Sequence, residues 1–107
     1  MNKVTLIGRL VKDAELKYVN DNVVANFTLA VNRKYKKDGQ PSADFIPIMA
    51  WNKLAENVNN YTGKGLLISV SGRIQTSTYE TKDGTKRNMT TIVAEEIQFI
   101  EWKNKNS

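Results

Sequence analysis

The chain contains no histidine and no cysteine among its 107 residues, and only two prolines. Without imidazole or thiol groups, the usual zinc sites, histidine-dependent triads and thiol nucleophiles are excluded. A disulfide framework is excluded as well, which is compatible with a reducing cytosol. No apolar run is long enough to span a bilayer, and no signal-peptide pattern opens the chain, where Asn2-Lys3 leads straight into an alternating segment. Glycine-rich phosphate loops and dinucleotide fingerprints are absent too. Acids are outnumbered, 11 against 16 Lys and Arg, for a formal charge of +5. Most of them stand in turn or surface contexts (Asp13, Asp21, Asp38, Asp83, and Glu95-Glu96 near the last strand), with no cluster suited to a metal-dependent reaction. Neither an enzyme nor a cofactor is expected. The positive balance favours an anionic partner.

What is present is a strand with apolar side chains on both faces. In Asp44-Phe45-Ile46-Pro47-Ile48-Met49-Ala50-Trp51, side chains alternate with a period of two. Ile46, Ile48 and Ala50 make an ordinary core face, and the other face should be polar. It reads Phe45, Pro47, Met49 and Trp51 instead. Just upstream lies Arg33-Lys34-Tyr35-Lys36-Lys37, an aromatic among four cations. Flat rings beside basic groups suit a groove for unpaired nucleic acid, where bases stack and phosphates are neutralised. The competing explanation is a strand buried on both sides, or one lying in a subunit interface.

The length suits one domain, and a hydrophobic content of 40% supports a modest core. Val4, Leu6 and Leu10 carry a first strand. Asn20-Asp21-Asn22 turns into Val23–Val31, where Phe27, Leu29 and Val31 alternate against polar neighbours. Lys37-Asp38-Gly39-Gln40-Pro41 marks the tip of a long hairpin returning to Trp51. A helix follows, with Asn52 as its cap, Leu54, Val58 and Tyr61 as its apolar stripe, and Gly63 at its end. Tyr61 is therefore expected in the core. Leu66, Ile68, Val70 and Ile74 continue a core face, Gly72 permits curvature, and a second hairpin turns at Lys82-Asp83-Gly84-Thr85 before a last strand through Met89, Val93, Ile97 and Phe99. Curved strands with one helix between the third and fourth predict an all-β fold with one helix: an OB-fold, a five-stranded Greek-key barrel with extended hairpins. Residues 1–102 form the expected domain, and 103–107 a polar tail.

The ordered segments Asn2–Leu10, Asp13–Tyr18, Val24–Arg33, Asp44–Ile46, Trp51–Glu56, Lys64-Gly65 and Gly72–Thr76 resemble those of bacterial and phage single-stranded DNA-binding proteins over roughly residues 1 to 100. The resemblance implies an OB-fold and sequence-tolerant binding of single-stranded DNA in replication, recombination or repair. It also implies a homotetramer, a dimer of dimers, in the cytoplasm and associated with the nucleoid of a bacterium or phage-infected host. No membrane is involved. Family stacking positions fall on Tyr35, Phe45, Trp51 and Tyr79. Lys3, Arg9, Arg33, Lys34, Lys53, Lys64, Arg73 and Arg87 are the cations best placed, by family match or strand face, for phosphates. Trp102 matches no family position.

Three departures qualify the resemblance. Gln75, Ser77 and Thr78 stand where many relatives carry basic residues, which argues against a strongly charged wrap along the second hairpin. Pro47 cannot donate a ladder hydrogen bond and should mark an edge or a bulge. The acidic tip through which relatives recruit replication and repair proteins has no counterpart up to Lys105-Asn106-Ser107. A short form is expected, be it a paralogue, a phage protein or a core fragment, with no tail-borne recruitment implied. The alternatives are a primosomal-type OB adaptor that docks other replication proteins, an OB-fold nuclease, for which the acidic metal ligands are missing, and a module burying Phe45 and Trp51 between subunits.

Overall fold

The structure is a computed structural model, and it describes residues 1–34, 38–39 and 42–103. Its elements are β1 (Val4–Leu10), β2 (Glu15–Val19), β3 (Asn22–Asn32), β4 (Ala43–Trp51), α1 (Lys53–Tyr61), β5 (Leu67–Glu80) and β6 (Lys86–Phe99). Hydrogen-bonded neighbours run β1-β5-β6-β4-β3, and β1 pairs again with β3 through Arg9↔Ala30 and Leu10↔Leu29. That second pairing closes a five-stranded ring. The parallel contact of β4 with β6, at Ile48↔Ile92 and Met49↔Val93, completes the expected OB-fold barrel.

β2 is the continuation of the first barrel strand. From Leu10 to Glu15 the chain advances five residues while its partner β3 advances three, from Leu29 to Asn26. The surplus bulges out at residues 11–14. Asp13 in that bulge accepts a hydrogen bond from the Lys64 N–H at 2.8 Å, tying the first strand to the loop after the helix.

The barrel interior is filled by the inward-facing residues of each strand: Leu10, Phe27, Leu29, Ile48, Ile68 and Val70 are all buried. α1 closes one end with Ala55 and Val58, both fully buried. Tyr61 lies at the margin of that core, not within it. It is about one-third exposed, with its ring 5.8 Å from that of Phe99.

Two helix-end expectations are corrected. Asn52 occupies the N-cap position, and its carbonyl accepts the Glu56 N–H at 3.0 Å, but its side chain does not cap. The carboxamide turns back to β3 instead, accepting the Val23 N–H at 3.1 Å and donating to Asn22 Oδ1. A φ of 53°, which asparagine tolerates better than most residues, makes that reversal possible. Gly63 is not the left-handed terminator. Thr62 ends the helix in an extended conformation, and Gly63 packs closely on Asp13, so that a Cβ there would lie 2.9 Å from Asp13 Oδ1 and displace that carboxylate.

Along β5 the core face ends sooner than the sequence suggests. The β5–β6 register slips between Ser71↔Glu96 and Gly72↔Ala94, leaving Glu95 as an extra residue on β6. The bulge explains why the apolar positions of β6 switch from Ile92 and Ala94 to Ile97 and Phe99. It brings Gly72 so close to Val93 that a Cβ would meet the Val93 carbonyl oxygen. Beyond it the hairpin leaves the barrel, and Ile74, expected in the core, is 43% exposed. Its backbone is held by the Asn2 carboxamide, which donates to the Ile74 carbonyl and accepts its N–H, both at 2.8 Å. The hairpin turns at residues 81–85 as expected, with Asp83 accepting from Thr81 Oγ1 and the Thr85 N–H. Those bonds hold the Asp83 carboxyl below its usual range.

Candidate nucleic-acid interface

Strand register decides which side chains share the outer face. β4 presents Phe45, Pro47, Met49 and Trp51 outward, opposite Ala30, Thr28, Asn26 and Val24 of β3. On the other side Met49 neighbours Val93 of β6, which is paired with Arg73 of β5. Period-two alternation along the same two strands then brings Thr91, Met89 and Arg87, with Gln75, Ser77 and Tyr79, to that face. Phe45, Trp51 and Tyr79 thus belong to one continuous surface, exposed by 62%, 39% and 52% respectively. Trp51 is the least exposed of the three, standing opposite the buried Val24. Tyr35 lies outside the described residues.

Pro47 sits where β4 has β3 on one side only, because the pairing with β6 begins at Ile48. It is an edge position, as expected. A groove of about 480 Å³ lies over this part of the face, lined on β4 by Pro47, Ile48 and Met49, which fall between Phe45 and Trp51 along the strand. Pro47 and Met49 lie at its base, Met89 and Thr91 form one wall, and the segment from Lys12 to Lys17 forms the other.

The candidate cations separate into two groups. Arg73 and Arg87 are exposed on the same face as the rings, Arg87 directly across the ladder from Tyr79. Among the described residues Arg73 makes only a long 3.4 Å contact to Gln75 Oε1. Lys53 begins α1 just beyond Trp51, and Lys64 is exposed in the loop anchored by Asp13. Arg33 and Arg9 are committed elsewhere. Arg33 places Nε and Nη2 at 3.1 and 2.9 Å from Asp44 Oδ1, at the base of the first hairpin. Arg9 donates to Glu101 Oε1 at 2.6 Å and to the Gly65 carbonyl at 2.9 Å. Arg9 and the Leu67 N–H together hold the Glu101 carboxyl below its ordinary range. Lys3 and Arg9 belong to the β1 side of the barrel, where β1 contacts β3 and β5 but not β4. Lys34 is exposed in the first hairpin loop.

None of residues 12–17 was among the candidate site residues read from the sequence. Lys17 stands opposite Val24, itself opposite Trp51, so the lysine lies in the tryptophan's row of the sheet. Glu15 is drawn to Lys12 at 3.7 Å and Asp13 to Lys64, leaving Lys17 without an ion pair among the described residues. The sequence signal was the alternation Glu15-Leu16-Lys17, legible as strand only once the break before it is known. Among the described residues no group of three or more acidic side chains could hold a metal ion, and no helix is long and apolar enough to cross a membrane.

The model of the single-strand binding protein family matches residues 1–100. Single-stranded DNA-binding protein 3 of Clostridium acetobutylicum is 60% identical across the whole chain, which covers 76% of that relative. The single-stranded DNA-binding protein of Clostridium tetani is 55% identical, again across the whole chain and 75% of the relative. Single-stranded DNA-binding protein 1 of C. acetobutylicum is 47% identical over 96% of both chains, so members of similar length exist.

Proposed function

The chain belongs to the single-strand binding protein family, and from that premise we propose how this surface holds its ligand. The protein is a non-enzymatic binder of single-stranded DNA, serving replication, recombination or repair. Bases stack on Phe45, Trp51 and Tyr79, and on Tyr35 in the first hairpin. Arg73, Arg87, Lys53, Lys64 and Lys34 neutralise phosphates along the way, with Lys3, Arg9 and Arg33 completing the cationic surround. Stacking is sequence-tolerant because every base has a π-face, and each such contact is worth about 1–3 kcal/mol. The observation that supports this reading best is the exposure of three rings on one face, flanking a groove, with two unburdened arginines beside them. Duplex DNA presents no free base faces and should bind weakly. The adaptor alternative has no such support: the relatives above are named for DNA binding.

Residues 1–102 act as the binding domain and 103–107 as a polar tail. The working unit is a homotetramer, so one strand contacts several subunits, and the protein acts in the cytoplasm on the nucleoid. Light scattering that returns a monomer at micromolar concentration would remove the tetramer.

A fluorescence titration tests the binding mode. In a Trp102→Phe background the signal reports Trp51. Oligo-dT should quench it, duplex of equal length should not, and affinity should fall as salt rises. Trp51→Ala with Phe45→Ala should weaken binding at least twentyfold, judged from two stacking contacts. Unchanged affinity for that double variant would end the stacking model.

A further inference from the structure

Phe45 and Trp51 are six residues apart on one strand, roughly 20 Å at the rise of an extended chain. One nucleotide step cannot bridge that distance. A strand stacked at both rings must therefore lay at least one nucleotide over the groove between them. The groove has an apolar base in Pro47 and Met49 and a thioether wall in Met89, and the one aromatic that lines it, Phe27, is buried in the barrel core and offers no open ring face for that base. It does have unspent polar groups. Asn26, half-buried and opposite Met49, directs its carboxamide to this face, and no hydrogen bond of that side chain is made among the described residues. Thr28 and Thr91 hydroxyls flank it, likewise unpaired.

Building on the stacking reading above, we infer that this groove is a seat for an unstacked base, and that Asn26 reads the edge of that base by hydrogen bonding. A carboxamide offers one donor side and one acceptor side, and a half-turn of its end group exchanges them. Each of the four bases presents a neighbouring donor and acceptor on an exposed edge. The same side chain can thus satisfy any of them, so the seat holds a base firmly without choosing among sequences. Lys17, in the row of Trp51, is placed for the phosphate entering the seat. A base that fills the groove but offers no hydrogen bonds would leave Asn26 desolvated and unpaired.

The test compares oligo-dT with an oligomer of the same length in which every thymine is replaced by 2,4-difluorotoluene, a shape-matched ring that stacks but hydrogen-bonds poorly. Wild-type protein should bind the isostere about fivefold more weakly or worse, the size expected from one lost hydrogen bond. Asn26→Ala should bind oligo-dT more weakly by a similar factor and should no longer distinguish the two oligomers. Oligo-dA and oligo-dC should show the same sensitivity to Asn26→Ala. Equal wild-type affinity for thymine and isostere overturns the seat, and so does an Asn26→Ala protein that keeps the full discrimination. The wild-type arm needs no variant, and Asn26→Thr, suited to a strand, replaces Asn26→Ala if the latter fails to melt cooperatively. Trp51→Ala separates the two readings. It should weaken both oligomers alike. If it weakens neither, stacking fails and the seat falls with it; if it weakens both while Asn26→Ala weakens neither, only the seat is lost.

Discussion

The two halves of the β5–β6 hairpin are one ladder put to different uses. From Leu67 to Gly72, inward side chains such as Ile68 and Val70 are fully buried, and the strand is part of the barrel wall. From Arg73 to Glu80 every residue is exposed, although the antiparallel pairing with Lys86–Val93 continues without a break. The change comes at Gly72, where the bulge sits. The barrel half is held by apolar burial, and the arm by ladder hydrogen bonds, the Asn2 clasp on Ile74 and the Asp83 turn. Stability therefore resides on the barrel side of Gly72, and the arm beyond it carries Tyr79, one of the rings proposed to stack a base. An arm that carries little of the global stability is free to adjust around a flexible strand.

The sharpest test sets Ile68 against Tyr79. Ile68→Ala removes a fully buried side chain from the barrel and should cost about 2–5 kcal/mol in denaturant unfolding. Tyr79→Ala should stay within about 0.5 kcal/mol of wild type, since half of that ring is already in water. In DNA titrations the order should invert. Tyr79→Ala loses roughly fivefold to a hundredfold in affinity for oligo-dT, while any residual folded Ile68→Ala protein binds normally. A Tyr79→Ala protein that is destabilised like Ile68→Ala would merge the two halves again.

Cations sharpen the same division. Arg73 is open at the root of the arm, whereas Arg33 is forked onto Asp44. Arg73→Ala should lower the magnitude of the slope of log affinity against log salt by about 1, as expected for one lost phosphate contact. Arg33→Ala should change that slope less, because its charge is already compensated by Asp44. Equal slopes for the two variants would mean that DNA pulls Arg33 away from its carboxylate.

Two carboxylates, Glu101 at the barrel and Asp83 at the arm tip, both titrate below their ordinary values, so each stabilises the contacts it makes at neutral pH and ceases to as pH falls. A depressed folded value gives stability that is whole above the unfolded value, about 4.5 for Glu101, and lost as pH drops through the folded value. Glu101 joins Arg9 of β1 to the Leu67 N–H of β5 and bears on the barrel; Asp83 bears only on its own turn. Urea unfolding followed from pH 6 to pH 3 should show a shallower acid loss for Glu101→Gln than for wild type. Asp83→Asn should leave that global profile nearly unchanged and instead speed amide exchange near Thr81 and Thr85.

The outward aromatics of β4 were legible because alternation needs no partner: Phe45 and Trp51 are out whenever Ile48 and Ala50 are in. The helix was legible through Val58 and its neighbours. Features that depend on a second, distant segment were not. The bulge at residues 11–14 carries neither glycine nor proline, so nothing local separates β1 from β2, and Lys17 could not be set beside Trp51. Ile74 reads as core by alternation, and only the register at Gly72 sends it into solvent. Arg9 pairs with a carboxylate 92 residues away, and Asn52 spends its amide on β3, 29 and 30 residues back. Short side chains at helix starts normally cap, but a stronger claim from an adjacent strand wins here.

The barrel half also has a flaw that makes a last, small test. Thr62, the C-cap residue of α1, is 2% exposed, and its hydroxyl has no hydrogen-bond partner among the described residues. Burying an unpaired hydroxyl is unfavourable, whereas an apolar group of the same shape is not. The backbone at Thr62 is extended, φ −132° and ψ 171°, which valine adopts readily. Thr62→Val should therefore raise stability by about 1 kcal/mol, a few degrees in melting temperature for a domain of this size, with oligo-dT affinity unchanged because the residue is buried at the C-terminal end of α1 and does not line the groove. A loss of stability would mean that the hydroxyl is satisfied after all, by an ordered water within the barrel floor.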